Sequence, residues 1–242
     1  FWIWPELELA PGERLVVEAS GLDRDYLPDH WMCPVVESVV WHYVVPPTNL
    51  PDDWKLPGYN AAGWDSGPGG IGYADGDDAT LLTDEDLVFM RRSFQIDDPT
   101  EWGYMSLAID YDDGYIAYLN GHEISRSDNM NGVSGLVGSW ASYQHEAVMY
   151  TGGMPDVLLW GADEFEEWLL PGENVLAVQV HNVNQNSSDL TIRPFLGLSP
   201  KDGQMGTWPA APDWWPEFEG VLHTDFSLSV GETVELVGPG GE

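Results

Sequence analysis

The stretch Tyr115-Ile116-Ala117-Tyr118-Leu119-Asn120-Gly121-His122-Glu123-Ile124 decides the fold class. Its first half is rich in aromatic and branched side chains, which favour a pleated strand. Asn-Gly follows, the pair that a type I′ turn demands because both of its central residues need φ > 0. The stretch therefore predicts a β-hairpin. Comparable runs lie to either side: Leu15-Val16-Val17-Glu18-Ala19, Val88 to Phe94, Met105 to Ile109 and Val175 to Val180, all bounded by Gly, Pro, Asn or Asp. Helical periodicity is confined to Asp163-Glu164-Phe165-Glu166-Glu167-Trp168-Leu169-Leu170, acidic at its start and halted at Pro171-Gly172. The turn Pro171-Gly172-Glu173-Asn174 leads into Val175–Val180, apolar enough to be predicted as a central strand covered on both faces. With 27 Gly and 18 Pro in 242 residues, the chain predicts an all-β sandwich of many short strands.

Charge narrows the partners. Asp and Glu number 41 against 8 Lys and Arg, a formal charge of −33. Nucleic acid needs a basic patch, and anionic membranes repel such a chain. The acidity predicts a surface kept soluble in salt, where screening relieves self-repulsion, or divalent-cation sites, or both. The acidic residues are interleaved with 13 Trp, 10 Tyr and 7 Phe, so they do not form a solvated tail. No apolar run reaches membrane-spanning length, and no signal peptide precedes the strand-like Phe1-Trp2-Ile3-Trp4. Both ends read as cut from something longer. The lone Cys33 can form no internal disulfide and is expected to be a small buried hydrophobe.

Much of the chain resembles the galactose-binding-like jelly roll, an accessory module of large secreted bacterial proteins. The resemblance rests on Trp54, Pro57-Gly58-Tyr59-Asn60, Trp64-Asp65-Ser66-Gly67 and Gly70-Ile71-Gly72-Tyr73-Ala74-Asp75-Gly76-Asp77-Asp78. It continues with Arg91-Arg92-Ser93-Phe94, Asp112-Asp113-Gly114 through Gly121, Gly172-Glu173-Asn174 through Val178, and Asn186-Ser187-Ser188-Asp189-Leu190. The resemblance implies a jelly-roll β-sandwich over residues 35–199 of a kind that binds sugars and in some members carries a structural calcium. A second resemblance, to the immunoglobulin-like lamin-tail domain, rests on Leu9 to Arg24 and on Leu222-His223-Thr224-Asp225-Phe226 through Leu236. It implies that residues 1–24 and 221–242 are parts of one such sandwich, with the jelly roll inserted between them and residues 200–220 as a Trp/Pro-rich linker. The outer strands of that second sandwich are missing from the chain.

Calcium takes six to eight oxygens, which closely spaced Asp residues and carbonyls in a glycine-containing loop supply. The expected metal ligands are Asp75, Asp77, Asp78 and Thr80, with Asp189 from the later matching segment. The competing reading is an acidic turn in an acidic protein. Asp110, Asp112 and Asp113 form a second cluster, predicted as a turn carrying sheet-edge charge, with a metal as the alternative. A sugar-binding site needs an aromatic platform beside hydrogen-bonding groups, because a pyranose has an apolar face and a polar rim. Trp140 and Tyr143, in a Gly/Ser-rich loop, are the expected platform, with Asn120, His122 and Arg126 as polar partners. Trp54 and Trp64 are expected to pin their segment to the sandwich, and His181 to be a satisfied core histidine. The spacing of the histidines fits no zinc motif, and nucleophile elbows and phosphate-binding glycine loops are absent. Taken together these features predict a non-catalytic extracellular or cell-surface module of a larger protein, binding calcium and glycan. A self-associating structural subunit, and a fragment of a salt-adapted hydrolase, are the alternatives.

Overall fold

The computed structural model describes residues 30–74, 76, 78–83, 85–201 and 206–215, together with the backbone of two further strands at 14–18 and 233–237. The chain divides into two units, residues 1–27 with 217–242, and residues 28–216. In the first, β1 (Arg14–Glu18) pairs antiparallel with a strand at Thr233–Val237, Arg14 opposite Val237 and Glu18 opposite Thr233. No more of that unit lies within the described residues.

The second unit is built from the remaining strands. In chain order these are β2 (Met32–Val35), β3 (Val40–Val44), β4 (Asp65–Pro68), β5 (Ile71–Tyr73) and β6 (Thr80–Leu81). They are followed by β7 (Leu87–Ile96), β8 (Trp102–Asp112), β9 (Gly114–Leu119) and β10 (His122–Arg126). Last come β11 (Asp156–Gly161), β12 (Gly172–His181) and β13 (Leu190–Pro200), the strand of the first unit at Thr233–Val237 being β14. One sheet has the order β10-β9-β12-β7-β3-β4, the other β11-β8-β13-β5-β6 with β2 also on β13. Every pairing is antiparallel except that of β5 with β6. The fold is the all-β sandwich that the strand runs and turns predict.

Alternation along the strands sorts side chains between the two faces. Leu176, Val178 and Val180 of β12 meet Met105, Leu107 and Ile109 of β8 and Ile192, Leu196 and Leu198 of β13 in the core between the sheets. All are fully buried, so truncating Leu107 or Leu196 to Ala is expected to destabilise by about 2–5 kcal/mol. The other parity of the first sheet, Phe89, Ile116, Tyr118, Val175 and Ala177, is covered by Trp54, Met130 and Ala141. The predicted central strand is therefore buried on both faces. Trp54 stands edge-on to Phe89 and Tyr118, and Arg91 donates to the carbonyls of Leu56 and Tyr59, which holds the 50–64 segment in place.

Asn120 and Gly121 adopt φ of 52° and 90° between β9 and β10, as the type I′ signal requires. The helical signal at Asp163–Leu170 yields one turn, α1 (Ala162–Phe165), whose Glu164 accepts from the Gly161 N–H. The helix ends at Phe165, ahead of Pro171-Gly172, and a turn follows it. The described part of the Trp/Pro-rich segment, 206–215, lies on the second sheet: Pro209 accepts from the Cys33 N–H, and Trp215 packs on Trp31. Cys33 is buried, which pushes its thiol up to about 12. Among the described residues no helix is long and apolar enough to cross a membrane.

Candidate metal centre at the rim of the sandwich

At the end of β8 the chain crosses from one sheet to the other through Asp113 and enters β9. Asp110, Asp112 and Asp113 are each only 2 % exposed, which corrects their reading as a turn carrying sheet-edge charge. The long 127–155 connection covers them. Asp110 accepts from the backbone N–H groups of Val148 (2.8 Å) and Met149 (2.9 Å). Asp113 accepts from those of His145 (3.0 Å) and Val183 (2.7 Å). Buried carboxylates endure here because charge-assisted bonds from the main chain replace water. Buried Asn129 adds a staple, donating to the carbonyls of Asp113 and Tyr143. Gly114 is required at this corner, since a Cβ would lie 2.8 Å from Asn129 Oδ1 and 2.9 Å from Met130 Cγ.

Asp112 takes part in a different arrangement. It joins Glu146, on the connection, and Asp189, just before β13, so that one carboxylate oxygen from each lies within 4.8 Å of the others. Oxygens bound to one calcium at 2.3–2.6 Å can be no more than about 5 Å apart, so the spacing suits that ion. Three segments of chain thus supply an acidic triad that could bind a metal. Ser188 donates to Asp189 Oδ1 at 2.8 Å and helps orient it.

The expected metal residues divide. Asp75 and Asp77 lie outside the described residues. Thr80 is buried and donates to the Pro68 carbonyl, while Asp78 Oδ2 accepts from Thr191 Oγ1. Thr191 lies opposite Asp112 in the β8–β13 register, so Asp78 and the 110–113 cluster approach the same rim. Asp189 is in the triad. Glu146 was not among the expected ligands, and its only sequence signal was that it follows Tyr143 and His145 in the same loop.

The expected sugar-binding residues also separate. Tyr143 is 53 % exposed and Trp140 half-buried, both on the connection that carries Glu146. Asn120 and His122 lie at the far end of β9, roughly 17 Å from Gly114 at the rise of a strand. Asn120 is engaged internally, donating to Trp168 O and Asn174 Oδ1 and accepting from Val175 N. Arg126 pairs with Glu123 and donates to the carbonyls of Met130 and Val133, bracing the start of the connection. His122 is exposed. Beside Tyr143, His145 stacks flat on Tyr111 with centroids 4.1 Å apart, and Tyr111 stands edge-on to Tyr115. Burial, then the Asp156 carboxylate, raises the Tyr111 phenol far above its ordinary value, so it remains a donor, here to Asp156 Oδ2. His181 anchors the same connection by a Nδ1 bond to the Ser139 carbonyl at 3.0 Å, and burial lowers its pKa to about 4.

No protein-family model matches the sequence, and no curated protein matches it. Solved structures resemble it in part. The β-glucuronidase of Bacteroides uniformis aligns over 70 % of this chain and 18 % of its own, with 12 % identity and a TM-score of 0.44. A glycosyl hydrolase family 2 member from Bacteroides cellulosilyticus aligns over 70 % and 21 %, with 12 % identity and a TM-score of 0.42. The β-glucuronidase of an uncultured Clostridium sp. aligns over 80 % and 30 %, with 15 % identity and a TM-score of 0.40. The chain spans between about a fifth and a third of these proteins. At such scores the likeness bears on neither substrate nor catalysis.

Proposed function

We propose that this protein is a non-catalytic β-sandwich module of a larger secreted or surface protein, stabilised by calcium and binding glycan. The observation that carries the reading is the convergence of Asp112, Glu146 and Asp189 from three segments. Like charges at that spacing repel, and a divalent cation turns the repulsion into a clamp on the rim. The 127–155 connection that the clamp would fix also presents exposed Tyr143 and Tyr150, aromatic faces of the kind that sugars stack on. Extracellular calcium modules work at about 10⁻⁴–10⁻³ M, which suits a site built from few carboxylates outside the cell.

The test is thermal unfolding at fixed high ionic strength, first with excess chelator and then with calcium. At a hundredfold excess over Kd, linkage gives about 2.7 kcal/mol. For a chain of this size that corresponds to a rise of roughly 5–10 °C in Tm. No rise, or an equal rise in a variant lacking Asp112 and Asp189 carboxylates, would contradict the calcium assignment.

A second reading, a subunit that self-associates, is favoured by β11. This strand lies at an edge of its sheet and carries Leu158, Leu159 and Trp160 without a lysine or proline to block pairing. Concentration-dependent sedimentation would support it, and a monomer at all concentrations would remove it.

A further inference from the structure

On the outer face of the second sheet, away from the triad, a cavity of about 330 Å³ opens between the 206–215 segment and the loops at 36–38 and 68–69. One side is aromatic. Half-buried Trp214 stands edge-on to Phe195, with centroids 4.8 Å apart, and is backed by Trp215 at 5.7 Å. Phe195 is only 2 % exposed, so the floor is firm. Glu37 and Ser38 bring polar groups to a lining that otherwise includes Val36, Pro68, Ala79 and Pro212. Arg193 of β13 forms an ion pair with Glu37, which limits the rotamers open to that carboxylate.

We infer that this cavity is the seat of a neutral carbohydrate ring. The inference rests on the glycan-binding reading and gives the ligand a place and a charge class. An indole beside the polar residues Glu37 and Ser38 matches the two surfaces of a pyranose, its apolar C–H face and its rim of hydroxyls. The volume lies at the small end of ligand sites, right for a sugar unit rather than a peptide helix. With Glu37 paired to Arg193 the wall is locally neutral, and the net charge of −33 repels uronic or sulfated polymers and a second copy of this chain alike. Phe195 lies opposite Ala108, four residues along β8 from Asp112. The cavity therefore sits roughly 13 Å from the triad on the same face, separate from the Tyr143 rim.

The experiment is native affinity electrophoresis of the full chain, with calcium present, through gels containing neutral polymers (xyloglucan, galactomannan, mixed-linkage β-glucan, galactan) or acidic ones (polygalacturonate, alginate). Two variants probe the cavity. Trp214→Ala removes the platform, and Ala79→Trp fills the space from an exposed position without deleting a packed side chain. Both are checked by melting temperature, and the second keeps the test decisive if the first fails to fold. The expected result is retardation by at least one neutral polymer, weakened tenfold or more by Ala79→Trp and not by acidic polymers in its place. Retardation lost in Tyr143→Ala but kept in Ala79→Trp would overturn the cavity and leave glycan binding standing. Retardation only by acidic polymers would overturn the inference. Retardation by none would overturn both, while the calcium clamp is tested separately by melting.

Discussion

Asp112 and Asp113 are neighbours in the chain, equally buried, and use their charge in opposite ways. Asp113 is met by two backbone N–H groups, from His145 and Val183, and so latches two connections to the rim by itself. Asp112 is met by two more carboxylates, those of Glu146 and Asp189. The first arrangement is complete as a fold device, and the second is one that could bind a metal. In a chain with 41 acidic residues, the number of carboxylates identifies nothing, and what each one faces identifies its role.

The comparison breaks most visibly at Asp113. Asp113→Ala strips two charge-assisted bonds and leaves buried donors unmet, so a loss of about 3–5 kcal/mol is expected in urea unfolding. The loss should be the same with chelator as with calcium. A calcium-dependent loss would mean that Asp113 belongs with the triad.

Acid should loosen the same connection at His181. Its folded pKa of about 4 lies below the ordinary 6.5, so the unfolded chain binds the proton first. The stability from the neutral ring is complete above pH 6.5 and fades as the pH falls towards 4, by on the order of 3 kcal/mol in all. Carboxylates titrate over part of this range, so the effect is read as the difference between wild type and His181→Gln in unfolding from pH 7 to 4. Parallel curves would show that the histidine is solvated.

The triad is next in size. Asp189→Asn and Glu146→Gln should each remove most of the calcium-dependent stabilisation, about 2–3 kcal/mol at saturating calcium. In chelator the same variants should match or slightly exceed wild type, because a like-charge repulsion has gone. Destabilisation in chelator would place these residues with Asp113 as internal acceptors. The smallest effect is expected at Tyr143→Ala, within about 0.5 kcal/mol of wild type at an exposed site. Urea unfolding checks that, and a larger loss would make the ring part of the packing.

The fold was legible where the physics is local. Asn120-Gly121 specified its hairpin because two positive φ values admit few residues, and the apolar Val175–Val180 announced a strand covered on both faces. The centre was legible only in fragments. Asp189 and the 110–113 cluster stood out as acidic, but Glu146 is 34 residues from Asp112 and 43 from Asp189. Only the β8–β13 pairing and the path of the connection bring them together. Polarity misled at Asp110–Asp113, where three acidic residues suggested charge at a sheet edge. The donors that make their burial tolerable are backbone N–H groups, to which sequence gives no clue. Asn120 misled in the other direction, since its turn chemistry and its internal bonds already occupy the groups that a ligand would need.

The most direct test is calorimetric titration of calcium into chelator-stripped protein at fixed high ionic strength, which screens diffuse binding to the acidic surface. Wild type should show one saturable site of unit stoichiometry, absent from the Asp112→Asn/Asp189→Asn double variant. No saturable site in wild type, or the same site persisting in the double variant, would contradict the assignment of a calcium clamp to this rim.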